Sequence, residues 1–187
     1  MVFDQELMNQ KIISSVKFWI LNTIIGFNFC PFAKREFDRD SIHYEVVNEI
    51  LPEEQLHSLV HEFTRLDKCP AIETSIIIFP QGLESFFDYL DFVELANELL
   101  AEQNYEGIYQ LASFHPDYCF EDVTQEDVSN FTNRSPYPMI HIIREASLEK
   151  VLEKYPSPET IPERNIELAR SKGIQIFKDI LQKSRDQ

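Results

Sequence analysis

Glycine is scarce in this chain, with only Gly 4 among 187 residues, and that scarcity argues against repeats, flexible linkers and low-complexity tracts. Cysteine is scarcer. Cys30, Cys69 and Cys119 are odd in number, widely spaced and free of any C-x-x-C pattern, so neither a disulfide framework nor a zinc module is expected, and a reduced cytoplasmic setting is. Basic residues are outnumbered: Lys+Arg 17 against Asp+Glu 32 gives a formal net charge of −15. A field of that sign repels phosphodiester backbones and anionic membrane surfaces, so no nucleic acid and no membrane is expected as a partner. The start, Met1 to Glu6, carries acid where an export signal needs base. No stretch reaches the roughly 18 to 20 uninterrupted apolar residues of a membrane span.

What remains is a hydrophobic share of 43%, with Phe 15 and Tyr 7, enough for one packed core. Residues 1–187 read as a single globular domain. Residues 5 to 25 place Leu7, Ile13, Val16, Ile20 and Ile24 on one helical face, with Gly26 positioned as a stop. A helix over about 53 to 66 follows Pro52 and lines up Leu56, Leu59, Val60, Phe63 and Leu66. A third, near 86 to 103, turns Phe92, Leu95, Ala96 and Leu99 inward and has Ser85 as its cap. Two more are expected at about 147 to 155 and 163 to 182, the last with Ile166, Ala169, Ile176, Phe177 and Ile180 buried.

Strands fall between. Ile42, Tyr44 and Val46 alternate with polar residues, whereas Ile76-Ile77-Ile78-Phe79 is a continuous run suited to a central strand buried on both faces. Gly107 to Phe114 and Met139 to Arg144 supply two more. The expected fold is α+β: a mixed sheet of about four strands, three parallel and one antiparallel, packed with about five helices. The carboxyl ends of parallel strands then share an edge, where ligands are favoured.

Between the third and fourth strands runs a long loop, and loops of that length in a compact domain are usually functional or disordered. It opens with Phe114-His115-Pro116-Asp117-Tyr118 and closes with Asn133-Arg134-Ser135-Pro136-Tyr137-Pro138. Prolines stiffen both ends, which suits a binding site. An antiparallel fourth strand brings His115, Asp117, Asn133, Arg134 and His141 to one edge. His115 or His141 can move protons near neutral pH, Asp117 can orient an imidazole, and Arg134 can grip a carboxylate or phosphate. Arg144 alternates away from His141 and serves the other face.

A second cluster lies at Asn28-Phe29-Cys30-Pro31-Phe32-Ala33. With Pro31 in the first turn of a short helix, Cys30 becomes its cap, where the helix dipole lowers a thiol pKa; the plainer reading is a small buried hydrophobe among phenylalanines. His57 and His61 stand four apart but lack the glutamate of an H-E-x-x-H pattern, so no metal site is expected there.

The segments Gly26 to Ala33, Ala112 to Tyr118, Asn133 to Pro138, His141 to Glu145 and Ile161-Pro162-Glu163-Arg164-Asn165 together resemble an uncharacterised bacterial family, domain of unknown function 1415, over nearly the whole chain. The resemblance implies a shared single-domain fold and carries no activity. Where it coincides with polar chemistry, the site is expected: His115, His141, Asp117 and Cys30 as catalytic candidates, and Arg134, Asn133, Arg164, Asn165, Arg144 and Asn28 as ligand-binding ones. The reading is a cytoplasmic enzyme acting on a small anionic metabolite; the alternatives are a non-catalytic small-ligand binding module and an interaction protein using Tyr118, Phe120, Phe131 and Tyr137. No cofactor or oligomeric state follows from the residues.

Overall fold

The computed structural model describes residues 2–187, with only the backbone of Val2 and Phe3. The chain opens with α1 (Val2–Trp19), whose axis continues as a π-helical segment (Ile20–Ile25). Ile12, Val16, Trp19, Ile20 and Ile24 form its buried stripe, while Leu7 stays exposed. Gly26 follows this segment as its cap, where a Cβ would sit 2.4 Å from the Asn22 carbonyl oxygen, so the position suits glycine alone. A short α2 (Ala33–Asp38) leads into β1 (Ile42–Val46).

Next come α3 (Pro52–Lys68), β2 (Thr74–Ile78), α4 (Phe86–Glu102) and β3 (Tyr109–Phe114). Pro52 opens α3 with Glu53 and Glu54 in its first turn and Arg65 and Lys68 in its last, charges that match the helix dipole. Its inner face holds Gln55, Leu59, Glu62, Phe63 and Leu66. Gln55 is buried because its amide donates to the Glu49 and Gln81 carbonyls and so ties two loops together. In α4 the buried positions are Tyr89, Phe92, Ala96 and Leu100, so Leu95 faces out, a rotation set by Tyr89. The Ser85 hydroxyl accepts from the Asp88 N–H, as a cap should.

The long loop closes with a 3-10 turn (Val128–Thr132) and enters β4 (Met139–Arg144). The chain finishes with α5 (Glu145–Leu152), α6 (Ile161–Lys172) and α7 (Ile174–Arg185). The single final helix expected from periodicity is two, broken at Gly173, whose φ of 77° no helix accommodates. That break leaves Ile176 exposed and Phe177 buried. Among the described residues, seven α-helices therefore accompany the sheet.

The sheet order is β1-β2-β4-β3. Only β1 and β2 are an adjacent parallel pair; β4 lies antiparallel to both β2 and β3. The expected trio of parallel strands is thus interrupted. The cause is burial: β4 carries Met139, Ile140 and Ile142 inside and takes a central place, leaving the edge to β3 with its exposed Gln110. The carboxyl ends of β1, β2 and β3 still meet the start of β4 at one edge of the sheet. There are no cis peptides among the described residues, so Tyr137–Pro138 is trans. No helix among the described residues is long and apolar enough to cross a membrane.

Two cores flank the sheet. On one face Ile77, Ile140 and Ile142 pack against Leu59, Phe63 and Leu66 of α3 and Tyr89, Phe92, Ala96 and Leu100 of α4. On the other, Ile76, Ile78 and Met139 meet Ile12, Val16, Trp19, Ile20 and Ile24. A smaller aromatic cluster of Phe29, Phe131, Ala169 and Phe177 joins the end of the loop to α6 and α7.

Candidate functional site

Strand alternation decides which chemistry lands where. Thr74, Ile76, Ala112, Met139 and His141 share the face toward α1, because Thr74 pairs with Ile143, and Ile76 and Ala112 both pair with His141. This face is incompletely covered. A cavity of about 900 Å³ opens between it, the end of α1, the Cys30 turn, α5 and α6. Its floor is apolar, with Ile20, Ile24 and Ile76 among the lining residues, and into it come Cys30, Thr74, Asn133, His141 and Asn165. Cavities of this size hold small organic molecules. The π-helical segment contributes Ile20 and Ile24, and such segments in helices are frequent beside functional sites.

The orientation of His141 follows from hydrogen-bond counting. The single Thr74 hydroxyl proton goes to the Ile142 carbonyl, so Thr74 Oγ1 accepts from His141 Nε2–H at 2.5 Å. Nδ1 is then the unprotonated nitrogen. Burial pushes the imidazole pKa down to about 4, which keeps the ring neutral near pH 7.

Cys30 also borders the cavity, but not as a helix cap. The cap of α2 is Phe32, and the helix begins at Ala33. Burial pushes the thiol pKa up, against smaller opposing contributions from the Phe32 and Ala33 backbone N–H groups. The lowered thiol pKa expected from a helix start is therefore reversed by desolvation, which outweighs two peptide dipoles.

The Cys30 turn is held from α6, 136 residues away in sequence. Arg164 donates to the Asn28 carbonyl and, at 2.9 Å, to the Tyr155 hydroxyl; Asn165 Nδ2 donates to the Phe29 carbonyl at 2.7 Å. Asn28 itself sits at φ 54°, a conformation that asparagine tolerates. Two of the motifs noted in the sequence are thus halves of one clasp. Asn133 borders the cavity with its amide anchored to the Ser113 carbonyl at 3.1 Å and its oxygen accepting from Thr132.

Of the remaining expected site residues, only Arg144 also lines the cavity, with its guanidinium bonded on the α3 side. His115 is 0% exposed, between the rings of Phe86 and Tyr89 on the α4 side. Its Nδ1 accepts the Asp117 backbone N–H and its Nε2–H donates to the Leu83 carbonyl, both at 3.0 Å. Burial lowers its pKa. Asp117 thus meets His115 through its backbone rather than its carboxylate, and its side chain is exposed. Arg134 closes the loop on itself, donating to the Tyr118 and Gln125 carbonyls and to Gln125 Oε1. Arg144 crosses to the α3 side, where it donates to the Leu66 and Ile72 carbonyls and to Tyr109 Oη. The expected gathering of His115, Arg134 and His141 at one edge does not form: each of the first two is occupied by backbone carbonyls, and His141 lies inside the sheet. The loop aromatics turn inward, with Phe131 buried and Tyr118 against Phe86 and Phe120.

Two features had weaker signals in the sequence. Trp19 and Glu73 border the cavity and hold its buried orphan atoms: neither Trp19 Nε1 nor Glu73 Oε1 has a hydrogen-bond partner. On the opposite face, His43 and Glu45, two apart on β1, meet Glu62 of α3 with ligand atoms within 4.8 Å. Their alternation was legible; the α3 partner was not. Arg65 donates to Glu62 at 2.7 Å and lies 3.5 Å from Glu45, and Ser75 donates to Glu62, so these carboxylates are already compensated.

Among curated proteins and among solved structures, nothing matches this chain. A family model does, and it spans residues 11–179, which takes in the cavity, the Cys30 turn, its α6 clasp and both histidines. The chain belongs to the family described as protein of unknown function (DUF1415).

Proposed function

We propose that this protein is a cytoplasmic enzyme acting on a small organic anion bound in the cavity beneath α1, with His141 as its proton-transferring group. The observation that carries this reading is the placement of His141: a neutral imidazole whose Nε2 is fixed by Thr74, bordering a cavity of about 900 Å³. A fixed ring with an unprotonated nitrogen is the form a general base needs, and a bound anion raises its pKa from about 4 toward the working range. Arg134, Arg144 and Arg164 are structural in this reading, so the anion is met by other cations.

A thermal-shift screen of carboxylates and phosphates, followed by mass spectrometry of each stabilising compound after incubation, tests the proposal. Conversion by wild type and its loss in His141→Gln, with binding retained, is the expected result. Binding without conversion favours the second reading, a non-catalytic ligand-binding module. One observation supports that alternative: Cys30 and His141 are both held neutral by burial, so the cavity contains no preformed thiolate.

A further inference from the structure

The cavity is polarised along its depth. Its buried lining is almost wholly apolar: Ile20, Ile24, Ile76 and Met139 sit there beside Trp19. Its exposed lining carries charge, and exposure marks these residues as the mouth. Arg35, Lys150 and Lys154 stand there. Arg35 is 3.4 Å from Glu36, whose other oxygen accepts from Ser41, so that acid is occupied. Lys150, in the last turn of α5, and Lys154, two residues past its end, have no carboxylate within ion-pair distance among the described residues. In a molecule of net charge −15, these two lysines bring positive charge to the opening of an apolar hole.

We infer that the cavity takes an amphipathic anion: an apolar chain or ring system lying against the sheet, with a single anionic head group held at the mouth by Lys150 and Lys154. This rests on the reading of the cavity as a small-molecule site and adds the ligand's class. A short, wholly polar metabolite leaves the isoleucine-lined floor without a partner, whereas an uncharged hydrocarbon leaves the lysines without one. Trp19 is 2% exposed, and its indole N–H, which has no acceptor among the described residues, is a donor available to a polar atom on the ligand body. Glu73 also lines the cavity, with its Oε1 buried, and a carboxyl group there disfavours multiply charged anions and fits a single head group.

Trp19 is the only tryptophan, so its emission reports on this cavity. The probes are dodecanoate, dodecyl phosphate, dodecanol and acetate, titrated against the full chain. Dodecanoate or dodecyl phosphate should change Trp19 emission saturably and raise the melting temperature, acetate should do neither, and the better of the two anions identifies the head group. Reversing the mouth in Lys150→Glu/Lys154→Glu, two exposed positions, should weaken the anionic amphiphile about tenfold or more while leaving dodecanol nearly unchanged. Ala112→Leu, which narrows the floor, should weaken both.

If acetate stabilises the protein and dodecanoate does not, the amphipathic class is overturned while the small-molecule reading stands. Equal dodecanoate affinity in wild type and the charge-reversed protein overturns the head-group assignment. If no probe shifts either signal, and Ala112→Leu simply raises the melting temperature, the cavity is a packing void and both readings fall.

Discussion

The two faces of the sheet are built on different terms. Toward α3 and α4, buried polar side chains are matched apart from Gln55 Oε1: His115 bonds the Leu83 carbonyl, Tyr89 bonds the Met139 carbonyl, and Arg144 caps two carbonyls and the Tyr109 hydroxyl. Toward α1, α5 and α6 the packing stops short, leaving a cavity and the orphan atoms of Trp19 and Glu73. A small domain needs one closed face to be stable at all. The contrast teaches that a polar residue in a motif is informative about function only once its side of the sheet is known.

The sharpest way to break this comparison is to attack the closed face. Arg144→Ala leaves the Leu66 and Ile72 carbonyls without their donor, and should cost about 4 kcal/mol in urea unfolding. His115→Ala, which opens a void between Phe86 and Tyr89 and orphans Leu83, should cost about 3 kcal/mol. A His115→Ala protein that keeps its stability but loses catalysis would return this residue to the active site and dissolve the division between the faces.

The open face predicts a pH signature. Above about pH 6.5, His141 is neutral in both the folded and the unfolded chain and has no effect on stability. As pH falls below that, the unfolded chain takes up a proton that the folded one refuses until about pH 4, so stability drops across this window. The drop amounts to at most about 3 kcal/mol, since the ring borders the cavity. His115, also lowered by burial, acts with the same sign, so the measurement is the difference between wild type and His141→Gln. Urea midpoints that fall in parallel for both proteins from pH 7 to 4 would mean that the His141 ring protonates freely in the fold.

Much of the fold was legible because apolar periodicity survives without tertiary context: the long helices, the doubly buried Ile76 to Ile78 and the Ser85 cap all follow from it. The order of the strands was not, since β2 and β4 are both apolar enough for a central place and only three-dimensional packing chooses their pairing. The site was half legible. Cys30, Asn133, His141, Arg144 and Asn165 do line one cavity, but His115, Arg134 and the Arg144 guanidinium carry identical side-chain chemistry into loop and core anchoring. Nothing in a linear sequence distinguishes a guanidinium facing a ligand from one facing a carbonyl. Trp19 escaped notice for the opposite reason: an aromatic on a helix stripe reads as core, which it also is.

The smallest expected effect on stability, and the most discriminating for chemistry, lies at Cys30. Because the thiol borders a void rather than packed atoms, Cys30→Ala should cost under about 1 kcal/mol, less than a fully packed deletion. Its burial-raised pKa predicts slow alkylation by iodoacetamide at pH 7, slower than at Cys69, which is exposed. Peptide mapping of the alkylated protein measures the two rates side by side. If Cys30 reacts faster, the backbone N–H groups of Phe32 and Ala33 outweigh desolvation in solution, the thiolate is available beside His141, and a nucleophilic mechanism displaces proton transfer as the chemistry of the open face.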